Sequence, residues 1–84
     1  YNITTYPNAF NPIVTISFSI PEFELTIITV YDLAGRHLET LTNEVLSMGN
    51  YSINWNASSY PSGVYLIRMD SGDFTQTQKV VLVK

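Results

Sequence analysis

Apolar and polar positions alternate along most of this chain, and the alternation divides it into short extended segments. Val14-Thr15-Ile16-Ser17-Phe18-Ser19-Ile20 is the clearest of them, with Val14, Ile16, Phe18 and Ile20 on one face and Thr15, Ser17 and Ser19 on the other. Pro21 ends it. Leu25 to Tyr31 is rich in β-branched residues and predicts a second strand, with Ile28 and Val30 opposed to Ile27, Thr29 and Tyr31. Asp32-Leu33-Ala34-Gly35 then reads as a type I turn, with Asp32 accepting from the following amides and Gly35 in the left-handed position of a bulge. Arg36 to Leu41 returns as a short strand with Leu38 inward. Thr42 to Met48 has no strand period and is expected to be a connection burying one or two side chains. Tyr51, Ile53 and Trp55 alternate with Ser52, Asn54 and Asn56 after Gly49, and the lone Trp is expected at the centre of a core.

Ser62 to Met69 is apolar on both faces apart from Arg68, which predicts a central strand with Tyr65, Ile67 and Met69 on one side. Pro61-Ser62-Gly63 launches it, and Ser71-Gly72 reverses the chain after it. Phe74 to Lys84 is the last strand, polar at first and apolar on both faces from Val80 to Val83. Ahead of all these, Tyr1 to Asn11 shows no clean period, and Phe10 within its Pro/Asn-rich stretch reads as a plug for one end of the core. The tally is about seven strands with turns at roughly 8–12-residue intervals and no helix, the pattern of an antiparallel β-sandwich of immunoglobulin or fibronectin III type.

At 84 residues the chain holds one small domain and one modest core. Four Lys/Arg against seven Asp/Glu leave no basic stripe to neutralise phosphates, which argues against nucleic acid as a partner. There is no cysteine, so disulfides and thiolate metal sites are excluded. No apolar run is long enough for a membrane-spanning helix. No signal peptide is visible and the first residue is Tyr1, so the whole of 1–84 is expected to be a single domain taken from a longer polypeptide.

Candidate chemistry is sparse. His37 is the only histidine and has no nucleophile or orienting carboxylate beside it in the pattern. Glu22 and Glu24 read as a solvated loop, and Asp70 and Asp73 as turn residues, since calcium would call for a denser oxygen cluster. Asn2-Ile3-Thr4 and Asn56-Ala57-Ser58 match the glycosylation pattern. Tyr6, Phe10, Tyr31, Tyr51, Trp55, Tyr60 and Tyr65 could make a sugar-stacking platform, but core filling is the better account of at least half of them. Neither a catalytic set nor a cofactor motif assembles, and the domain is expected not to be an enzyme.

The succession of motifs resembles the C-terminal sorting domain, type A, of the type IX (Por) secretion system of Bacteroidetes. Tyr6-Pro7-Asn8-Ala9-Phe10-Asn11-Pro12 is similar to that family's opening, with Ala9 where the family usually has proline. Val30-Tyr31-Asp32-Leu33-Ala34-Gly35-Arg36 is similar to its hairpin, Gly49 to Trp55 to its Gly–Trp spacing, and Ser62-Gly63-Val64-Tyr65 to a later strand. Lys79-Val80-Val81-Leu82-Val83-Lys84 resembles its lysine-bracketed final strand. The resemblance implies a folded signal that directs an upstream cargo from the periplasm across the outer membrane, for surface attachment or release. It implies as partners the translocon, its surface-processing machinery and the cargo, with Lys84 at or near the natural end.

A flat apolar terminal strand is expected at a sheet edge, unless a neighbouring loop covers it. Joined to the resemblance, this makes Gly63, Val64, Tyr65 and Lys79, Val80, Val81, Leu82, Val83, Lys84 the candidate recognition residues. Asp32, Gly35, Gly49 and Gly72 are candidate structural turn positions. The alternative readings are a carbohydrate-binding accessory module of a secreted hydrolase and a structural spacer.

Overall fold

The computed structural model describes residues Tyr1–Lys84 and contains strands only. In chain order they are β1 (Asn2–Tyr6), β2 (Ala9–Phe10), β3 (Ile13–Ile20), β4 (Glu24–Asp32), β5 (His37–Leu46), β6 (Gly49–Asn56), β7 (Gly63–Ser71) and β8 (Phe74–Leu82). They form a three-stranded sheet, β1-β3-β6, and a five-stranded sheet, β2-β8-β7-β4-β5. The predicted sandwich is present, with eight strands in place of about seven.

The alternating segments fold as their pattern requires. Val14, Ile16, Phe18 and Ile20 of β3 are buried, as are Ile28 and Val30 of β4 and Tyr65, Ile67 and Met69 of β7. β7 is central, paired antiparallel with β4 on one side and β8 on the other. Trp55 is 1% exposed, with Phe10 tilted against it at 5.8 Å between ring centroids and Tyr65 edge-on at 5.5 Å. Its indole N–H donates to the Glu39 carboxylate, so the one polar atom of the ring is satisfied in the core. Of the expected core residues only Leu38 and Ile53 are half-buried.

Three segments go beyond what the sequence pattern settled, each for a physical reason. Asn2–Tyr6 is an edge strand paired with β3, and Ile3 is its one buried residue, which leaves no period to read. Thr42 to Leu46 continues β5 instead of forming a connection. Register shifts opposite Ile28/Thr29 and Val30/Tyr31 leave Leu41 and Leu38 without partners in the β4 ladder. Those two bulges break the alternation that would have shown one long strand. Finally, the terminal strand is not an open edge where it is most apolar. β2 pairs parallel with it, and Val81 N–H donates to Asn8 O at 3.1 Å and Val83 N–H to Phe10 O at 2.9 Å. The Pro/Asn-rich stretch thus covers the edge, and β8 ends at Leu82, short of Val83 and Lys84.

At the far end of the sandwich Thr26 and Ser71 are buried and share a hydrogen bond of 2.9 Å between hydroxyls. The Glu24 carboxylate accepts from Ser71 Oγ at 3.4 Å and from the Tyr1 hydroxyl, whose ring stacks on Phe74 at 4.8 Å. That bond to Glu24 pushes the Tyr1 phenol up to about 12, because ionisation would set two negative charges together. Gly72 closes the β7–β8 reversal with φ +57°, and a Cβ there would lie 2.5 Å from the Glu24 carboxylate oxygens.

Two stability predictions follow from this packing. Trp55→Ala removes the ring shared by Phe10, Tyr60 and Tyr65 and should cost about 3–5 kcal/mol in chemical denaturation, a large part of the ~5–10 kcal/mol available to a small domain. Gly72→Ala should cost about 1–2 kcal/mol from the left-handed backbone, plus the displacement of Glu24. Gly35→Ala, at φ +82° with nothing within 4 Å of its Cβ, should cost less. Equal losses for the two alanines would show that Glu24 does not pack as described.

Candidate functional site

The motif residues from three distant parts of the chain meet at one end of the sandwich. The first contributor is the β4–β5 turn. Asp32 Oδ1 accepts from Ala34 N–H at 2.9 Å and Arg36 N–H at 3.0 Å, while Oδ2 pairs with Arg36 Nε at 2.8 Å. Gly35 N–H donates to Asp32 O at 3.0 Å, and Asp32 N–H to Arg36 O at 3.1 Å, so the turn is held from both backbone directions. The Arg36 amide, more than any other group, holds the Asp32 carboxyl below the usual carboxylate range, with the Arg36 guanidinium and the Ala34 amide adding to it.

The second contributor is the loop from Ala57 to Ser62. Ala57 is fully buried, donating its N–H to Pro12 O at 2.9 Å and accepting from Tyr60 N–H at 3.0 Å. Tyr65 donates its hydroxyl to Pro61 O at 2.5 Å, which ties β7 to the loop that launches it. Tyr60 lies between, tilted on Trp55 at 5.5 Å and edge-on to Tyr65 at 6.0 Å. Burial, with the Glu39 charge behind it, raises the Tyr60 phenol above its ordinary range.

The third contributor is the tail. Lys84 N–H donates to Ser62 Oγ at 3.0 Å and Lys84 Nζ to Ser58 O at 2.7 Å. Between turn and loop runs a cleft of about 270 Å³ whose walls include Asp32, Arg36, Pro61, Gly63 and Val64. Arg36 is 80% exposed at its rim, while its partner Asp32 is only 18% exposed.

The candidate recognition residues separate into three groups here. Tyr65, Val80 and Leu82 are buried and belong to the core. Val64, Val81 and Lys79 lie on the outer face of the five-stranded sheet, Val64 directly opposite Val81. Gly63, Val83 and Lys84 lie at the end of the sandwich, the last two exposed. Asp32, Gly35 and Gly72 occupy turns, and Gly49 opens β6. Ser58, Tyr60 and Asn8 also shape this end, through contacts between segments far apart in sequence that no local pattern announces.

Elsewhere the catalytic prospects stay thin. His37 Nε2 hydrogen-bonds Thr40 Oγ1 at 2.9 Å and its ring meets Tyr31 edge-on, and no carboxylate is bonded to that ring to orient it. No three His, Asp or Glu side chains gather where they could hold a metal. Trp55, Phe10 and Tyr65 fill the core, whereas Tyr6 is exposed.

This succession of elements is that of a known family, described as the secretion system C-terminal sorting domain, whose model matches residues 4–84. The chain belongs to that family. It is a C-terminal sorting domain of the type IX secretion system, and such a domain marks proteins for the cell surface or for release. Among curated proteins none matches the chain. Among solved structures it is similar to PorZ, an essential bacterial surface component of the type-IX secretion system of Porphyromonas gingivalis, with a TM-score of 0.73 and 21% identity. That likeness covers 99% of this chain and 12% of the PorZ chain, and it shows the fold. No helix of this sorting domain is long and apolar enough to cross a membrane.

The turn carries its own prediction. A carboxyl held below its unfolded value stabilises the fold fully above the unfolded pKa, and the contribution is lost as pH falls through the folded one. Stability of the sorting domain should therefore drop on acidification below the ordinary Asp range. Asp32→Asn should be less stable at neutral pH and show a shallower drop, read from denaturant midpoints at a series of pH values. A variant with the same acid slope as the parent would contradict the assignment.

Proposed function

We propose that the domain is the non-catalytic sorting module of a longer secreted protein, and that the translocon reads the end of the sandwich where turn, loop and tail meet. The observation that carries this reading is the cleft between Arg36 and Gly63, beside the aromatic cluster of Trp55, Tyr60 and Tyr65, with Lys84 tied to the adjoining loop at Ser58 and Ser62. The surface-processing machinery and the upstream cargo are its further proposed partners. Val80 and Leu82 act in this reading as anchors that place Val83 and Lys84 beside Ser62, since their own side chains are sealed in the core. Val64 lines the cleft, and Val81 opposite it, with Lys79 two residues before, extends the surface along the outer face of the sheet.

Deleting Lys79–Lys84 would remove two core side chains and confuse missorting with unfolding. The cleaner variant is Arg36→Glu with Lys84→Glu, both at exposed positions. In a full-length cargo it should lower surface or medium levels about tenfold, as for the loss of about 1.4 kcal/mol of recognition, and the cargo should accumulate in the periplasm. Circular dichroism of the purified variant domain should match the parent. Normal export of a folded variant would reject the proposed surface.

A further inference from the structure

The two sheets are unequal, and the shortfall falls on one side. β1 lies against β8, where the Gln78 amide donates to Ile3 O at 2.9 Å, and Ile3 and Val80 are sealed beneath. Counted from that side, three strands run out before five do, so β5 is met at Glu39, where the Trp55 indole reaches it, and is left partly open along the rest. Burial records it: Thr26, Ile28 and Val30 of β4 are 0% exposed, whereas no residue of β5 is buried. Leu38, Leu41 and Leu46 of β5, with Tyr51 and Ile53 of β6, stay half-exposed along one seam. No ladder joins β5 to β6, so each presents an outer edge of unpaired backbone groups.

The two edges are not equivalent. β5 is blunted by its two bulges and by Glu39 and Glu44. β6 keeps unbroken register with β3 from Gly49 to Asn56 and contains no proline and no charged residue. An edge of that kind is a template for another strand. We propose that β6 takes up an extended segment of a partner polypeptide as the fourth strand of the smaller sheet, over β5. Backbone bonds to β6 supply the affinity, and apolar side chains at every second position of the guest fill the seam.

Charge selects the guest further. β5 and β6 carry no Lys or Arg, and His37 pairs on the outer face, opposite Tyr31. Glu39 is engaged by the Trp55 indole, while Glu44 is exposed, without an ion pair, on the side of β5 that faces the vacancy. The guest strand is therefore cationic, with a Lys or Arg placed to meet Glu44. This proposal rests on the sheet edges and goes beyond the export role.

The probe is an eight-residue peptide, the length of β6, with Val at alternate positions and Lys or Thr between them. A permuted peptide of the same composition with its valines in one block is the control. Hydrogen exchange of the 84-residue domain should slow about tenfold at the outward amides of β6 on saturation, and Glu44→Lys should weaken binding by about the same factor without changing the melting temperature. Absence of binding, equal protection by the permuted peptide, protection at β1 or β5, or protection of β6 by self-association without peptide would each overturn the proposal.

Discussion

The constraint on which the rest of this structure depends is the burial of Val80 and Leu82. Their strand is held by β7 along its length and by Ala9–Phe10 across its last turn of ladder. Remove that clamp and Phe10 loses its seat beside Trp55, which in turn supports Tyr60 and Tyr65. Long-range pairing between the two ends of the chain thus closes the core. In a domain this small, where about 60–65% of the unfolded surface is buried, no other layer could substitute for it.

The same clamp explains how a short chain without disulfides can present a defined surface. The turn at Asp32, the loop at Pro61 and the tail at Lys84 are each fixed by hydrogen bonds, and the loop is tied to the aromatic cluster through Tyr65. In the proposed reading, recognition belongs to the folded end of the sandwich and not to a linear run of residues. The final strand then has two parts: an interior that completes the core and an exposed end that completes the surface.

Much of this was legible in the sequence. Alternation marked β3 and β6, a run apolar on both faces marked β7 as central, and the Asp32–Gly35 spacing marked the turn with its left-handed glycine, because those features depend on neighbours two to four residues apart. What stayed hidden depends on partners elsewhere. β1 buries Ile3 alone, β5 carries bulged leucines that break its period, and the Val80–Val83 run could be read as an open or a covered edge because its cover comes from Asn8–Phe10. The recognition site was read as a strand segment, whereas burial divides that segment and Lys84 joins Ser58 and Ser62 through space. The family itself was evident from motif order, which local chemistry alone would not have supplied.

The most direct measurement is the affinity of the solubilised translocon for the folded 84-residue domain compared with a peptide spanning Lys79–Lys84. If the folded end is what is read, the domain should bind at least about tenfold tighter than the peptide, a difference of about 1.4 kcal/mol, and thermal unfolding of the domain should abolish the difference. A peptide that binds as tightly as the folded domain would contradict the account.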